Sequence, residues 1–162
     1  MKKRRLAILA ALAVLVAAAV AVVARGAHAS AQEVVTYNFV IVPQGRTSFV
    51  DNAPKAAKGK FDPRPGDSFS SRGRVLDATG LEVGRTSLYC TETVKDPLTF
   101  ECSISIIIND GTMIVSGALN PLALPWTGAV VGGTGTYAGA TGVAQVTAEG
   151  TQEHWALSVR RG

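Results

Sequence analysis

The chain is short of the residues on which most site chemistry depends. Of its 162 residues only two are histidine and two are cysteine. One of the histidines, His28, falls in the apolar leader described below. His154 alone is too little for a Ser-His-Asp triad or a multi-histidine metal site. A soft-ligand metal centre would need more than Cys90 and Cys102, so no metal is expected. Acidic residues are missing from the first 29 positions, where five of the sixteen bases lie. From Ser30 onward eleven bases face twelve acids, so the net charge of +4 becomes −1. No cationic surface is left to hold a nucleic acid. Convincing helical periodicity is absent from Val34 onward. Glycine runs the other way, at about 12% of the residues after Ala29 against roughly 7% in average proteins, and favours turns and tight backbone.

Met1 to Arg5 is a cationic cluster, followed from Leu6 to Ala24 by nineteen unbroken apolar residues. Ala27-His28-Ala29 then supplies small residues at the −3 and −1 positions of a cleavage site. Ala29-Ser30-Ala31 offers a second cut after Ala31. This is the three-part pattern of a secretory signal peptide over 1–29, leaving one domain over 30–162. The run is also long enough to span a bilayer as a retained anchor. Either way the remainder is placed outside the cytoplasm, touching membrane only through the leader. In that oxidising compartment Cys90 and Cys102 are expected to form a disulfide. Lys95-Asp96-Pro97-Leu98 lies midway between them, and a turn there sets the two cysteines opposite each other across a strand pair.

Short β-branched or alternating runs fill the rest: Val34–Val42, Ser68–Asp77, Glu82–Val94, Thr99–Asn109, Thr112–Leu119, Thr127–Val131, Thr141–Glu149 and His154–Arg160. Asn52 to Pro65, rich in Pro, Lys and Gly, reads as a long loop. Asp110-Gly111 reads as a two-residue type I′ hairpin turn. That turn sets Ile108 opposite Met113 and Ile106 opposite Val115, while the cysteine pair sets Leu88 opposite Ile104. One face then carries Leu88, Phe100, Ile104, Ile106, Met113 and Val115, continued by Val146 and by Trp155, Leu157 and Val159. The other carries Ser87, Tyr89, Thr91, Glu101, Ser103 and Ser105, with Ile107 the exception. A sheet apolar on one side must cover that side. Eight antiparallel strands without helices do so by closing into an up-and-down barrel or a sandwich. A barrel of this size is either filled by side chains or holds one small ligand.

Gly132-Gly133-Thr134-Gly135-Thr136-Tyr137-Ala138-Gly139-Ala140-Thr141-Gly142 resembles the glycine-rich segment of plant allene oxide cyclases and dirigent proteins. Gly66-Asp67, Leu76-Asp77 and Val83-Gly84 through Cys90 follow the order seen in allene oxide cyclases. The layout is similar to that of bacterial spirotetronate-cyclising barrels. The resemblance runs from about Gly66 to Arg160. It implies an eight-stranded antiparallel up-and-down barrel that binds a hydrophobic substrate in its lumen and steers a cyclisation or coupling without a cofactor. It also implies self-association, for which Ile107 is the exposed candidate contact. Dirigent proteins carry an arginine where this chain has Thr141. Allene oxide cyclases carry a glutamate near the end of the first strand, where this chain reads Phe39-Val40-Ile41-Val42-Pro43.

The glycine segment lacks the Gly-Lys-Ser/Thr ending of a phosphate-binding loop, so Gly132, Gly133, Gly135, Gly139 and Gly142 read as turn and close-packing residues. The candidates for chemistry are Tyr89 and Glu101, neighbours across two strands and an acid/base pair if their face is the inner one. Arg74 and Arg72 share a strand face, and one of them is a candidate to hold a polar substrate end at the barrel mouth. Lumen contacts are expected from Leu88, Phe100, Ile104, Ile106, Met113, Val115 and Val146. Two functions follow: a cofactor-independent cyclase or coupling-control barrel, and a non-catalytic secreted barrel for ligand binding or a structural role. An ionisable side chain directed into an open lumen separates them.

Overall fold

Runs that alternate apolar and polar with a period of two can bury only one face, and in this chain every such run is used. The computed structural model describes residues 33–51, 62–120 and 124–161, apart from the side chains of 46 and 47. The leader, with its cleavage sites after Ala29 and Ala31, lies outside the described residues, as does most of the loop expected over Asn52–Pro65. The strands are β1 (Val34–Val50), β2 (Ser68–Leu76), β3 (Glu82–Lys95), β4 (Leu98–Ile108), β5 (Gly111–Leu119), β6 (Trp126–Gly135), β7 (Thr141–Glu149) and β8 (Gln152–Arg160). Each pairs antiparallel with the next, and β8 returns to β1, closing the barrel. No helix occurs among the described residues.

The inward face is the apolar one. Phe39 and Ile41 of β1, Val75 of β2, Phe100, Ile104 and Ile106 of β4, Met113 and Val115 of β5, Ala144 and Val146 of β7, and Leu157 and Val159 of β8 are all buried. Closure removes both sheet edges, so every strand has two hydrogen-bonded neighbours. Small residues make room where a large ring must enter. A Cβ on Gly128 would sit 2.9 Å from the Trp126 ring and 2.9 Å from a Val115 methyl.

Cys90 stands opposite Cys102, Leu88 opposite Ile104, and the two sulfurs are bonded. The two-residue turn at Asp96-Pro97 alone would set the cysteines one residue out of step. A bulge between Glu92 and Val94 takes up the difference. Closing so short a loop in the unfolded chain is worth about 3 kcal/mol in the chain-entropy model. Replacing both cysteines with alanine is therefore expected to lower the free energy of unfolding by that amount in a denaturant titration. An unshifted midpoint would remove the bond from the account of stability.

The β4–β5 hairpin differs from the sequence expectation. Ile108 pairs with Gly111 and Ile106 with Met113, so the two-residue turn is Asn109-Asp110 and not Asp110-Gly111. A type I′ turn needs positive φ at both central residues, and no residue other than glycine has it here. Only Gly111 does, at φ 143°, where a Cβ would meet the Thr134 carbonyl oxygen at 2.1 Å. Because the register moves by two residues, each side chain keeps its face. Two strands also run further than their apolar cores suggest. β1 continues past Pro43 through a bulge between Gln44 and Ser48, and β6 takes in Gly132 to Gly135.

Candidate functional site

The two ends of the barrel are unlike. At one end the β6–β7 connection turns inward and Tyr137, 2% exposed, plugs the interior. At the other a cavity of about 140 Å³ opens to solvent between the start of β6 and β8 and the middle of β1 to β3. Its walls are Ile41, Phe69, Leu88, Ile104, Leu119, Trp126 and Trp155, and Pro43 and Leu124 also border it. Phe69 stands edge-on to Phe100, 5.2 Å between centroids. Trp126 and Trp155 meet at 89° with centroids 5.1 Å apart. This is the edge-to-face arrangement that the ring quadrupoles favour.

Four polar side chains also reach this cavity: Ser71, Arg72, Thr86 and Glu153. Glu153 stands opposite Ile41 in the β1–β8 ladder, and Phe39 stands opposite Trp155. The indole Nε1–H of Trp155 donates to Glu153 Oε2 at 2.9 Å. That bond fixes the half-buried carboxylate against the wall and leaves its second oxygen without another hydrogen bond among the described residues. Neither Glu153 nor Arg72 makes an ion pair among the described residues. The arrangement supplies one positioned carboxylate, two hydroxyls and an apolar box. It is able to orient a small guest and to accept one proton from it.

The residues expected from sequence to do chemistry lie elsewhere. Tyr89 is 57% exposed on the outer wall, where hydrogen bonds with Ser68 and Thr91 hold its phenol below the usual range. Glu101 is exposed on the neighbouring strand. Arg74 pairs with Glu82 at 3.7 Å and does not border the cavity. Their strand positions have the parity of the outer face, so the three do not converge. Arg72 is the arginine that borders the mouth, while remaining largely exposed. His154 points away from the lumen and lies 3.4 Å from Glu149.

Among the seven expected lumen contacts, Leu88 and Ile104 border the cavity. Phe100, Ile106, Met113, Val115 and Val146 instead fill the packed interior around and beneath it. All five are fully buried in one cluster with Cys90, Cys102, Tyr137 and Trp155. Sequence reasoning missed Glu153 because it began the last strand at His154. The signal was there: the inward set Trp155, Leu157, Val159 steps back by two to Glu153.

Among the described residues no three His, Cys, Asp or Glu side chains come together as a metal site. The glycine segment ends β6, turns at Gly139 (φ 70°) and enters β7. It lies at the plugged end, away from the cavity.

No curated protein sequence matches the chain. Solved structures do match. A pyocyanin demethylase superposes with a TM-score of 0.65 at 21% identity, over 77% of this chain and 99% of that one. The pterocarpan synthase dirigent protein GePTS1 gives 0.58 at 14%, over 80% and 88%. The Diels–Alderase AbmU from Streptomyces koyangensis gives 0.60 at 18%, over 80% and 64%. At such identities the likeness is one of fold, and fold does not carry function with it. The family model described as the allene oxide cyclase barrel like domain matches residues 50–159. That span takes in β2 to β7 whole and nearly all of β8, and on it the chain belongs to the allene oxide cyclase-like barrel family.

Proposed function

We propose that the barrel is exported, takes a small hydrophobic metabolite into its open end and steers the cyclisation or coupling of that molecule, with no cofactor. The observation that carries this is the half-open apolar cavity with one carboxylate held in place by an indole. Holding a reactive molecule in one folded shape removes much of the entropic barrier to ring closure, and that needs walls more than acids and bases. Structural neighbours of the same fold are named as a Diels–Alderase and a dirigent protein, which supports the reading. A carrier role is favoured by a different observation: among the described residues no histidine, tyrosine or cysteine side chain joins Glu153 at the cavity.

The chain has two tryptophans and both line this cavity, so tryptophan emission reports on it alone. Titration with a one-ring hydrocarbon such as toluene is expected to give a saturable change in emission. Ser71→Phe, which puts a ring into the mouth, is expected to weaken binding about tenfold, equivalent to about 1.4 kcal/mol. Native mass spectrometry of the exported protein should show a co-purifying small molecule, and its conversion or unchanged release separates catalyst from carrier. If emission does not respond and the protein is recovered empty, the cavity is not a ligand site.

A further inference from the structure

The size of the cavity limits what enters it. Its 140 Å³ is close to the roughly 150 Å³ of an apolar protein cavity that takes up one benzene. One six-membered ring is enclosed, and anything longer extends past Pro43 and Leu124. Trp126 and Trp155, set at right angles, offer such a ring both a face and an edge.

Charge limits the other end of the guest. The free oxygen of Glu153 sits beside this aromatic box on a half-buried residue, with no cation within ion-pairing distance among the described residues. A carboxylate partly out of water binds a cation more strongly than an exposed one does. The electron-rich indole faces add to the same preference. Among the described residues Arg72 is the only competing charge at the cavity, but it stands on an outward position of β2 and is exposed. Its pull on an anionic guest is screened accordingly. The half-buried charge therefore outweighs the exposed one.

We propose that the site selects a single aromatic ring bearing a protonated amine. The ring lies against Trp126 and Trp155, and the ammonium donates to the free oxygen of Glu153. This rests on the reading of the lumen as a ligand site and adds the chemical class of the ligand.

The test uses three one-ring probes that differ at the tip: 2-phenylethylamine, 2-phenylethanol and 3-phenylpropionate, each titrated against tryptophan emission. The amine is expected to bind about tenfold more tightly than the alcohol, because both partners of its hydrogen bond to the half-buried carboxylate are charged and only the acceptor is charged in the alcohol's, and the carboxylate most weakly. Glu153→Gln retains an acceptor for the Trp155 indole, so the wall stays in place. It is expected to bring the amine close to the affinity of the alcohol while weakening the alcohol far less. Arg72→Gln should preserve the preference for the amine. Equal binding of amine and alcohol, tightest binding of the carboxylate, or a preference that survives Glu153→Gln would each overturn the proposal while the lumen reading stands. Silence from all three probes would overturn both.

Discussion

Tyr137→Ala is expected to lower the free energy of unfolding by about 3–5 kcal/mol, the range for removing a buried aromatic side chain. Tyr137 is the largest of the fully buried side chains among the described residues, and it closes the barrel end opposite the cavity. Its backbone is held from both sides. Its N–H donates to the Thr134 carbonyl at 3.1 Å, and its own carbonyl accepts from Ala140 N–H at 3.0 Å. The ring meets Tyr37 edge-on, 5.8 Å between centroids, and the two hydroxyls are hydrogen-bonded. Tyr37 OH in turn accepts from Nε of Arg161 at 3.1 Å and from its Nη2. Tyr137→Phe keeps the ring and loses only the hydroxyl contact, at about 1 kcal/mol. Burial, then the neighbouring Tyr37, pushes the Tyr137 phenol up to about 12 from its ordinary 10.0. Between those values the folded chain keeps a proton that the unfolded chain has lost, so stability falls as pH rises through the window. Tyr137→Phe should flatten that alkaline limb. Denaturant titrations of the three proteins at pH 7 and across the alkaline range decide the matter. A loss under about 1 kcal/mol for Tyr137→Ala would mean that the closed end does not depend on its plug.

How much of this was readable beforehand differs by level. Alternation with a period of two assigns the inward face, and it does so for nearly every core residue, because a slip of two in register leaves parity unchanged. The β4–β5 turn shows it: Asn109-Asp110 replaces Asp110-Gly111 and Ile106 still points inward. The turn itself was misread because Asp110-Gly111 is the commoner hairpin pair by composition. In the fold Gly111 is needed where backbone passes close to Thr134. The extent of β1 past Pro43 was hidden, since a proline usually ends a strand and a bulge rescues it here. The site was harder. Parity says which residues face inward, but not which of them leave space, and that depends on how rings from five strands meet. Phe100 and Met113 face inward and end in solid packing, while Leu88 and Ile104 border the void. The two inward carboxylates, Glu92 and Glu153, obey the same parity. Glu153 fell one residue outside the expected last strand, and Glu92 lay inside an expected strand at an inward position that its charge argues against.

Glu92→Gln is expected to stabilise the protein by about 1–3 kcal/mol at pH 7, because it removes a buried charge that no partner offsets. Glu92 is 1% exposed, and neither carboxylate oxygen has a hydrogen-bond partner among the described residues. Its backbone is fully engaged: its N–H donates to the Asp67 carbonyl at 2.8 Å, and its carbonyl accepts from Gly66 N–H at 2.9 Å. The nearby ammonium of Lys95 is held by Asp62 at 2.9 Å. Burial, and then the charge of Asp67, raises the Glu92 carboxyl above its ordinary 4.5. From 4.5 up to that raised value the folded chain binds a proton that the unfolded chain has released. Stability therefore declines as pH rises through that window and stays lower above it. Asp62 acts with the opposite sign. Hydrogen bonding to Lys95 holds its carboxyl below 3.8, so its contribution is lost as pH falls below 3.8. Between them, these two groups add stability as pH rises toward 3.8 and remove it as pH rises above 4.5. Thermal melts from pH 4 to pH 8 check this. Wild type and Glu92→Gln should melt together near the acid end and separate as pH rises, with the variant higher. A variant that melts below wild type at pH 7 would mean that the carboxylate is paired in solution and that its burial is not the cost argued here.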